Sequence, residues 1–224
     1  MLQTKHLYYV FEDIVIVPEK FRKDGREDVE ITIKKQDVGT LYLETGKVVA
    51  NDPFVLYQTE PFVISVPPGG YTVSIHIAHF DNPVDKRVAF ATIRFSDKKV
   101  VRWELALVKG ERIEELSDGI FFGYGVDSGR GGFMDKSVAD KVKSKLKFAE
   151  NGNDPYDMVF GDMEKQFDIN GHYAIGNMTN GTTNDFVAFS SGFGDGTYAS
   201  YFGFDDTGEP CILVTDFLFS VLGE

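Results

Sequence analysis

The chain has 224 residues, with 23 lysines and arginines against 35 aspartates and glutamates, and a single cysteine. One cysteine excludes an internal disulfide framework and any zinc site that needs several thiolates. The formal net charge of −12 argues against nucleic acid and anionic membranes as partners, because both repel an acidic protein. With 42% hydrophobic and 26% charged residues, the composition is that of a folded globular chain.

The middle of the chain shows strand signals, in which apolar and polar residues alternate. One face of segment 71–77 is apolar and consists of Tyr71, Val73, Ile75 and Ile77. Segments 87–95 and 100–108 follow, and Ser96–Lys99 between them is typical of a hairpin loop. The three segments together predict a three-stranded meander with Trp103 in the core.

One later segment clearly predicts a helix. Asp135 is a typical helix N-cap, and Val138 and Val142 follow at helical spacing. The main helix is therefore expected near residues 136–149, and a weaker helical signal covers residues 154–166.

These elements define the expected fold class. Further short strands are predicted at residues 29–33, 41–43, 185–189, 198–204 and 211–219. We expect an α+β fold of predominantly antiparallel β-sheet, sandwich-like or strongly curved, with the one main helix. A β-rich part at residues 1–150, with the meander at 71–108, and an acidic β-rich part at residues 151–224 are expected to pack into one domain.

The charge is distributed unevenly along the chain. Residues 1–147 carry equal numbers of acidic and basic side chains, whereas residues 148–224 carry 13 acids and one base, Lys165. Such asymmetry predicts a basic protein partner or a bound cation, and the plain alternative is a solvated acidic surface. The first residues lack a basic and then apolar targeting pattern, and no apolar run approaches the length of a membrane span, so a cytoplasmic location is expected.

Several aspartates are the candidate site residues. Asp216 lies within an apolar strand, where a carboxylate must be exposed at a strand end, hydrogen-bonded, paired with a base or bound to a cation. Asp127 and Asp195 lie in glycine-rich segments, and with Asp216 they could supply oxygen ligands to Mg²⁺ or Ca²⁺, assisted by Asp135. The plainer interpretation makes each of them a hydrogen-bonded turn or strand residue. No cofactor is otherwise predicted.

Catalytic signals are weak. The histidines are not spaced as a metal pair, no nucleophile elbow or zinc-protease helix occurs, and Cys211 begins an apolar strand as a buried small residue would. Glu104 could be a partly buried acid, although a cross-strand ion pair with an arginine such as Arg94 is the more ordinary account.

Three motifs occur in a distinctive order along the chain. They are Arg102–Leu107, Gly125–Gly129 with Phe133–Asp135, and Ser191–Tyr198 ending in Asp216–Phe217. Over roughly residues 60–220 they resemble the bacterial family called domain of unknown function 4241. The resemblance implies a bacterial origin and a shared pattern that includes the five candidate acids and Trp103, but it implies no established activity.

Two hypotheses follow. The first is a non-catalytic binding protein whose acidic C-terminal part faces a basic partner, as a toxin-neutralising immunity protein would. The alternative is a metal-assisted hydrolase or ligand-binding domain, which requires Asp127, Asp195 and Asp216 to converge around a cation. We favour the first, and an enzymatic role stays open.

Overall fold

The architecture is that of a computed structural model, which describes residues 31–56, 59–80, 84–117, 120–148, 165–178 and 181–217. Within these ranges eleven strands form two antiparallel sheets. The strands are β1 (Ile31–Leu43), β2 (Val48–Asn51), β3 (Gly69–Phe80), β4 (Lys86–Arg94), β5 (Arg102–Leu105), β6 (Tyr124–Val126), β7 (Arg130–Asp135), β8 (Tyr173–Gly176), β9 (Phe186–Ser190), β10 (Gly196–Phe204) and β11 (Pro210–Asp216). A single α-helix in the described ranges, α1 (Lys136–Phe148), follows β7 directly. The expected α+β class with dominant antiparallel sheet is confirmed.

The larger sheet has seven strands in the order β1-β3-β4-β11-β10-β5, and β6 also pairs with β10. The smaller sheet has the order β2-β7-β9-β8. Side chains of both sheets, including Phe133 and Phe189 of the smaller one and Phe202 of the larger, belong to one buried apolar cluster. Each sheet contains strands from before and after residue 150, so strands of the acidic last third complete both sheets.

The predicted meander is wrong in its third strand. β3 and β4 pair as expected, but β11 and β10 lie between β4 and β5. The predicted hairpin loop instead crosses two strands, because Phe95 donates its backbone N–H to Cys211 while Val101 donates to Phe204. β11 is buried along nearly its whole length, and a strand that is apolar on both faces is stabilised most in the middle of a sheet.

The predicted alternation of segment 71–77 is confirmed on its apolar face. Val73 and Ile75 are fully buried in the core shared by the two sheets. The opposite face is buried as well, because Ser74 and His76 expose at most a few per cent of their surface. Ser74 is satisfied there by donating its hydroxyl hydrogen to Asp37 on β1, at 2.7 Å.

The main helix occurs where the sequence predicts it. Its buried residues Val138 and Val142 pack with Met134 and Phe186 of the smaller sheet. The weaker predicted helix at residues 154–166 lies, apart from its last two residues, outside the described part of the chain. The described helix is too short and too polar to cross a membrane, and no other helix that could do so occurs in the described ranges.

Candidate functional site

Two glycine-rich loops lie against each other at one end of the two sheets. The β6–β7 loop (residues 127–129) and the β9–β10 loop (residues 191–195) are joined by two hydrogen bonds. Gly129 donates its backbone N–H to Asp195 Oδ1 at 2.9 Å, and Ser191 donates its own to the Gly129 carbonyl at 3.1 Å. Gly129 has φ of +67°, a conformation that favours glycine. We call these two loops the loop pair.

A buried aspartate from a third segment holds the β6–β7 loop. Asp52 exposes 2% of its surface and accepts four hydrogen bonds. Its Oδ2 accepts the backbone N–H groups of Asp127 and Ser128, at 2.9 and 2.8 Å. Its Oδ1 accepts the Ser128 hydroxyl and the Phe54 N–H. Charge-assisted bonds to backbone N–H groups are among the stronger hydrogen bonds, so they fix this loop firmly.

The β9–β10 loop is fixed by its own residues and by an arginine. The hydroxyls of Ser191 and Tyr198 both donate to the Gly194 carbonyl, at 2.7 Å each. Arg87 lies over the Phe193 ring, with its guanidinium carbon 4.9 Å from the ring centroid. Burial raises the pKa of the Tyr198 hydroxyl, which keeps it protonated as a donor.

The carboxylates of Asp127 and Asp195 are the exposed acids of the loop pair. Asp195 accepts the Gly129 N–H with one oxygen, and the residue is exposed. The Asp127 side chain has no hydrogen bond or ion pair with any residue that the structure describes, although its backbone is held by Asp52. The loop pair therefore presents two carboxylates on an ordered backbone.

Asp135 has the structural role that its position predicts. It is fully buried and caps α1 by accepting the Ser137 N–H at 2.9 Å. It also accepts both the backbone N–H and the hydroxyl of Thr45, at 2.9 and 2.8 Å. With its lone pairs occupied in this way, Asp135 joins the start of the helix to the segment before β2.

Asp216 is buried at the end of β11. It exposes 2% of its surface and lies between Ala199 of β10 and Phe90 of β4. The neighbouring Tyr201 is affected by it: burial first, and then the Asp216 charge, raise the pKa of that hydroxyl to about 12. Of the possibilities that the sequence leaves open for Asp216, this burial excludes exposure at a strand end.

Glu104 does not have the surroundings that the sequence suggests. It is exposed on β5 rather than partly buried, and it forms an ion pair with Arg102, two residues earlier on the same face of the strand. Arg94 lies on β4, which β10 and β11 separate from β5, and therefore cannot be the cross-strand partner of Glu104. This difference follows from the same crossover that breaks the predicted meander.

The three aspartates proposed as metal ligands do not form a common group. Across the described ranges, no three histidine, cysteine, aspartate or glutamate side chains lie close enough to hold one ion. Asp195 belongs to the loop pair with Asp127, while Asp216 is inside the larger sheet.

Many acids of the last third stabilise the backbone rather than form a surface. The described acids after residue 164 divide into those that are buried or half-buried, Asp168, Asp185, Asp205 and Asp216, and those that are exposed, Asp195, Asp206 and Glu209. Asp168, for example, accepts the N–H groups of His172 and Tyr173, and these bonds outweigh its burial and lower its pKa. Three of the seven described acids after residue 164 are therefore exposed.

A pocket lies near β6, between Tyr124, Ser200 and Glu111. Its cavity volume of about 10 Å³ is room for about one water molecule, far below the range of about 300–1,000 Å³ that is usual for small-molecule sites. The Tyr124 hydroxyl is buried and has no hydrogen-bond partner within 3.5 Å among the described residues, and burial raises its pKa. This pocket is too small for a substrate of ordinary size.

Asp52 holds the β6–β7 loop, and the sequence alone does not identify it as an anchor. One of its contacts could be predicted from the local sequence, because an aspartate before Pro53 that accepts the N–H of Phe54 forms a typical Asx turn. Its contacts with Asp127 and Ser128 join residues that are 75 and 76 positions apart in the chain, and a single sequence contains no signal for such contacts.

A family model described as Protein of unknown function (DUF4241) matches residues 41–215. The searches of curated proteins and of solved structures found no match. The matched range includes Asp52, the loop pair, and the Asp135 cap.

Proposed function

The chain belongs to the family described as Protein of unknown function (DUF4241), and from that premise we propose that it is a non-catalytic binding protein whose loop pair receives a basic protein partner. The observation that carries the proposal is the contrast between backbone and side chain at Asp127. Its N–H is held by the buried Asp52, and its carboxylate is exposed.

An ordered loop supports binding because little conformational entropy is lost when the partner docks. The four hydrogen bonds to Asp52 and the two between the loops hold the backbone before any contact is made. The Asp127 carboxylate can then accept charge-assisted hydrogen bonds from an arginine or lysine of the partner.

The net charge of −12 supports the choice of a basic partner. Long-range attraction accelerates association with a cationic protein and disfavours acidic ones. Neutralisation of a basic toxin or nuclease is one form that this function would take. A cytoplasmic location and a bacterial source are part of the same proposal.

The test uses the full chain as bait in its own cell extract, followed by binding measurements with each captured protein after purification. We expect a basic partner whose association rate falls with added salt. The double variant Asp127→Asn with Asp195→Asn should weaken its affinity about a hundredfold or more, because each of the two lost charge-assisted bonds contributes about 1.5–3 kcal/mol. Asparagine keeps an acceptor for the Gly129 N–H, so the loops should stay joined.

The matched control is Asp97→Asn, which removes one exposed carboxylate from the loop after β4. It should leave the affinity unchanged. The proposal fails if the double variant binds the purified partner as tightly as the wild type, or if Asp97→Asn weakens binding to the same degree.

A further inference from the structure

A row of polar and cationic side chains crosses one end of the larger sheet, despite the acidic net charge. Thr32 on β1 is directly opposite His79 on β3, and His79 is directly opposite Lys86 on β4. Directly opposite residues of an antiparallel pair share a face and have Cβ atoms about 4.5–5.5 Å apart. A hydroxyl, an imidazole and an ammonium group therefore lie side by side.

A second lysine is on the same face. Lys34 is two residues from Thr32 on β1, and alternate residues of a strand point to the same side. Both lysines and Thr32 are exposed, and His79 is half-buried. We call Thr32, Lys34, His79 and Lys86 the cationic row.

The charges that act on the pKa of His79 are all positive. Burial, followed by the positive charges of Lys34, Lys86 and His172, lowers the pKa of His79. His172 itself has its pKa lowered by burial, with Lys86 and Arg130 acting in the same direction against Asp168. The cations that act on His79 thus repel a further proton and attract an anion.

The width of the cationic row indicates the size of the anion that it can bind. Neighbouring strands are about 4.8 Å apart, so three strands span about 10 Å. That width suits one tetrahedral oxyanion, whereas an extended polyanion would meet the remaining surface of a protein with net charge −12. We propose that the cationic row binds a single phosphoryl group, with the ammonium groups of Lys34 and Lys86 and the hydroxyl of Thr32 as donors.

The test is an NMR titration of the isotope-labelled full chain at neutral pH. Inorganic phosphate and phosphoserine are the two probes, and sodium chloride at matched ionic strength is the control. We expect saturable shifts centred on Thr32, His79 and Lys86 with at least one probe. Saturation with phosphate alone would identify the free ion as the ligand, and tighter binding of phosphoserine would identify a phosphate monoester.

Matched lysine variants separate a site from general attraction. Lys86→Ala should raise the dissociation constant about tenfold, as expected for a lost bond to a charged group. Lys109→Ala removes an exposed lysine beyond β5, at the opposite edge of the sheet, and should change nothing. Lys34→Ala is the second variant if Lys86→Ala fails to give a native spectrum.

Two results would overturn the proposal. The first is a set of shifts that stay linear in probe concentration or that sodium chloride reproduces. The second is an equal loss of affinity in Lys86→Ala and Lys109→Ala. The loop pair has no part in this experiment, so its outcome is independent of the proposed basic partner.

Discussion

The β6–β7 loop and the β10–β11 turn are both organised by a buried aspartate, but the two anchors differ in their distance along the chain. Asp205 begins its own turn and accepts the N–H and hydroxyl of Thr207 and the N–H of Glu209, at 2.6–2.9 Å. Asp52 reaches a loop 75 residues later. The turn thus largely contains its own support, whereas the shape of the β6–β7 loop depends on the tertiary fold.

The largest loss of stability is expected from substitution of Asp52, the anchor that is distant in sequence from its loop. Asp52→Ala leaves two loop N–H groups, one hydroxyl and the Phe54 N–H without their acceptor, and the site is buried. Since an unsatisfied buried donor costs about 1–3 kcal/mol and part of the loop can turn to water, we expect a loss of about 3 kcal/mol in unfolding free energy. Urea denaturation measures this loss.

Hydrogen exchange locates the same effect. In Asp52→Ala the amides of Asp127 and Ser128 should exchange faster, while those of the β10–β11 turn should keep their protection. The control Asp97→Ala should stay within about 0.5 kcal/mol of the wild type. If both regions lose protection equally, the two anchors do not act separately and the comparison is wrong.

The same distinction explains what the sequence could and could not predict. Strand β3, the helix capped by Asp135 and the β10–β11 turn all depend on contacts between residues close in sequence, and these predictions are confirmed. The position of β5 depends on pairing between residues about 100 positions apart, and the predicted pairing of β5 with β4 is wrong. Local propensity carries no information on such pairings.

The candidate site divides in the same way. The sequence identifies the acids of the loop pair, because glycines flank Asp127 and Asp195 within a few residues. It does not identify Asp52, and it groups Asp216 with the loop acids although Asp216 belongs to a buried strand of the larger sheet. Which acids share a site is decided by the sheet order, and the sheet order is the part that the sequence does not supply.

A pair of glycine substitutions compares how tightly the chain is packed near the β6–β7 loop and in the β10–β11 turn. An added Cβ at Gly131, just after the β6–β7 loop, would lie 2.6 Å from the Tyr124 hydroxyl and 2.9 Å from the Phe189 ring. Gly131→Ala should therefore cost about 2 kcal/mol by overpacking. Gly208→Ala in the β10–β11 turn meets open space and only a positive φ of +86°, and should cost about 1 kcal/mol.

Thermal or urea denaturation of a double variant identifies the cause. Tyr124→Phe removes the hydroxyl nearest to the added methyl group, so it should recover part of the stability lost in Gly131→Ala. It should recover nothing in Gly208→Ala. Equal recovery in both backgrounds would mean that the cost at Gly131 does not come from contact with Tyr124.

A smaller effect on stability, which depends on pH, is expected from substitution of Asp205, the anchor within the β10–β11 turn. Hydrogen bonds from Lys98 and Thr207 hold the pKa of Asp205 well below its usual range. A carboxyl with a lowered folded pKa stabilises the protein above its unfolded pKa of about 4 and loses that contribution as the pH falls further. Asp205→Asn should therefore lower the melting temperature at neutral pH and lower it less at pH 3. A constant difference across this pH range would contradict the assignment.

The smallest effect on stability is expected at Asp127, a residue of the β6–β7 loop whose carboxylate is central to the proposed function. Its carboxylate is exposed and has no partner among the described residues, while its N–H bond to Asp52 does not depend on the side chain. Asp127→Asn should therefore change the unfolding free energy by less than about 0.5 kcal/mol, as measured by urea denaturation. A larger loss would show that the carboxylate supports the loop, in which case reduced partner binding would report loop order rather than a direct contact. If Asp127→Asn keeps the stability of the wild type but loses binding, the carboxylate contacts the partner directly, because it contributes nothing to the fold.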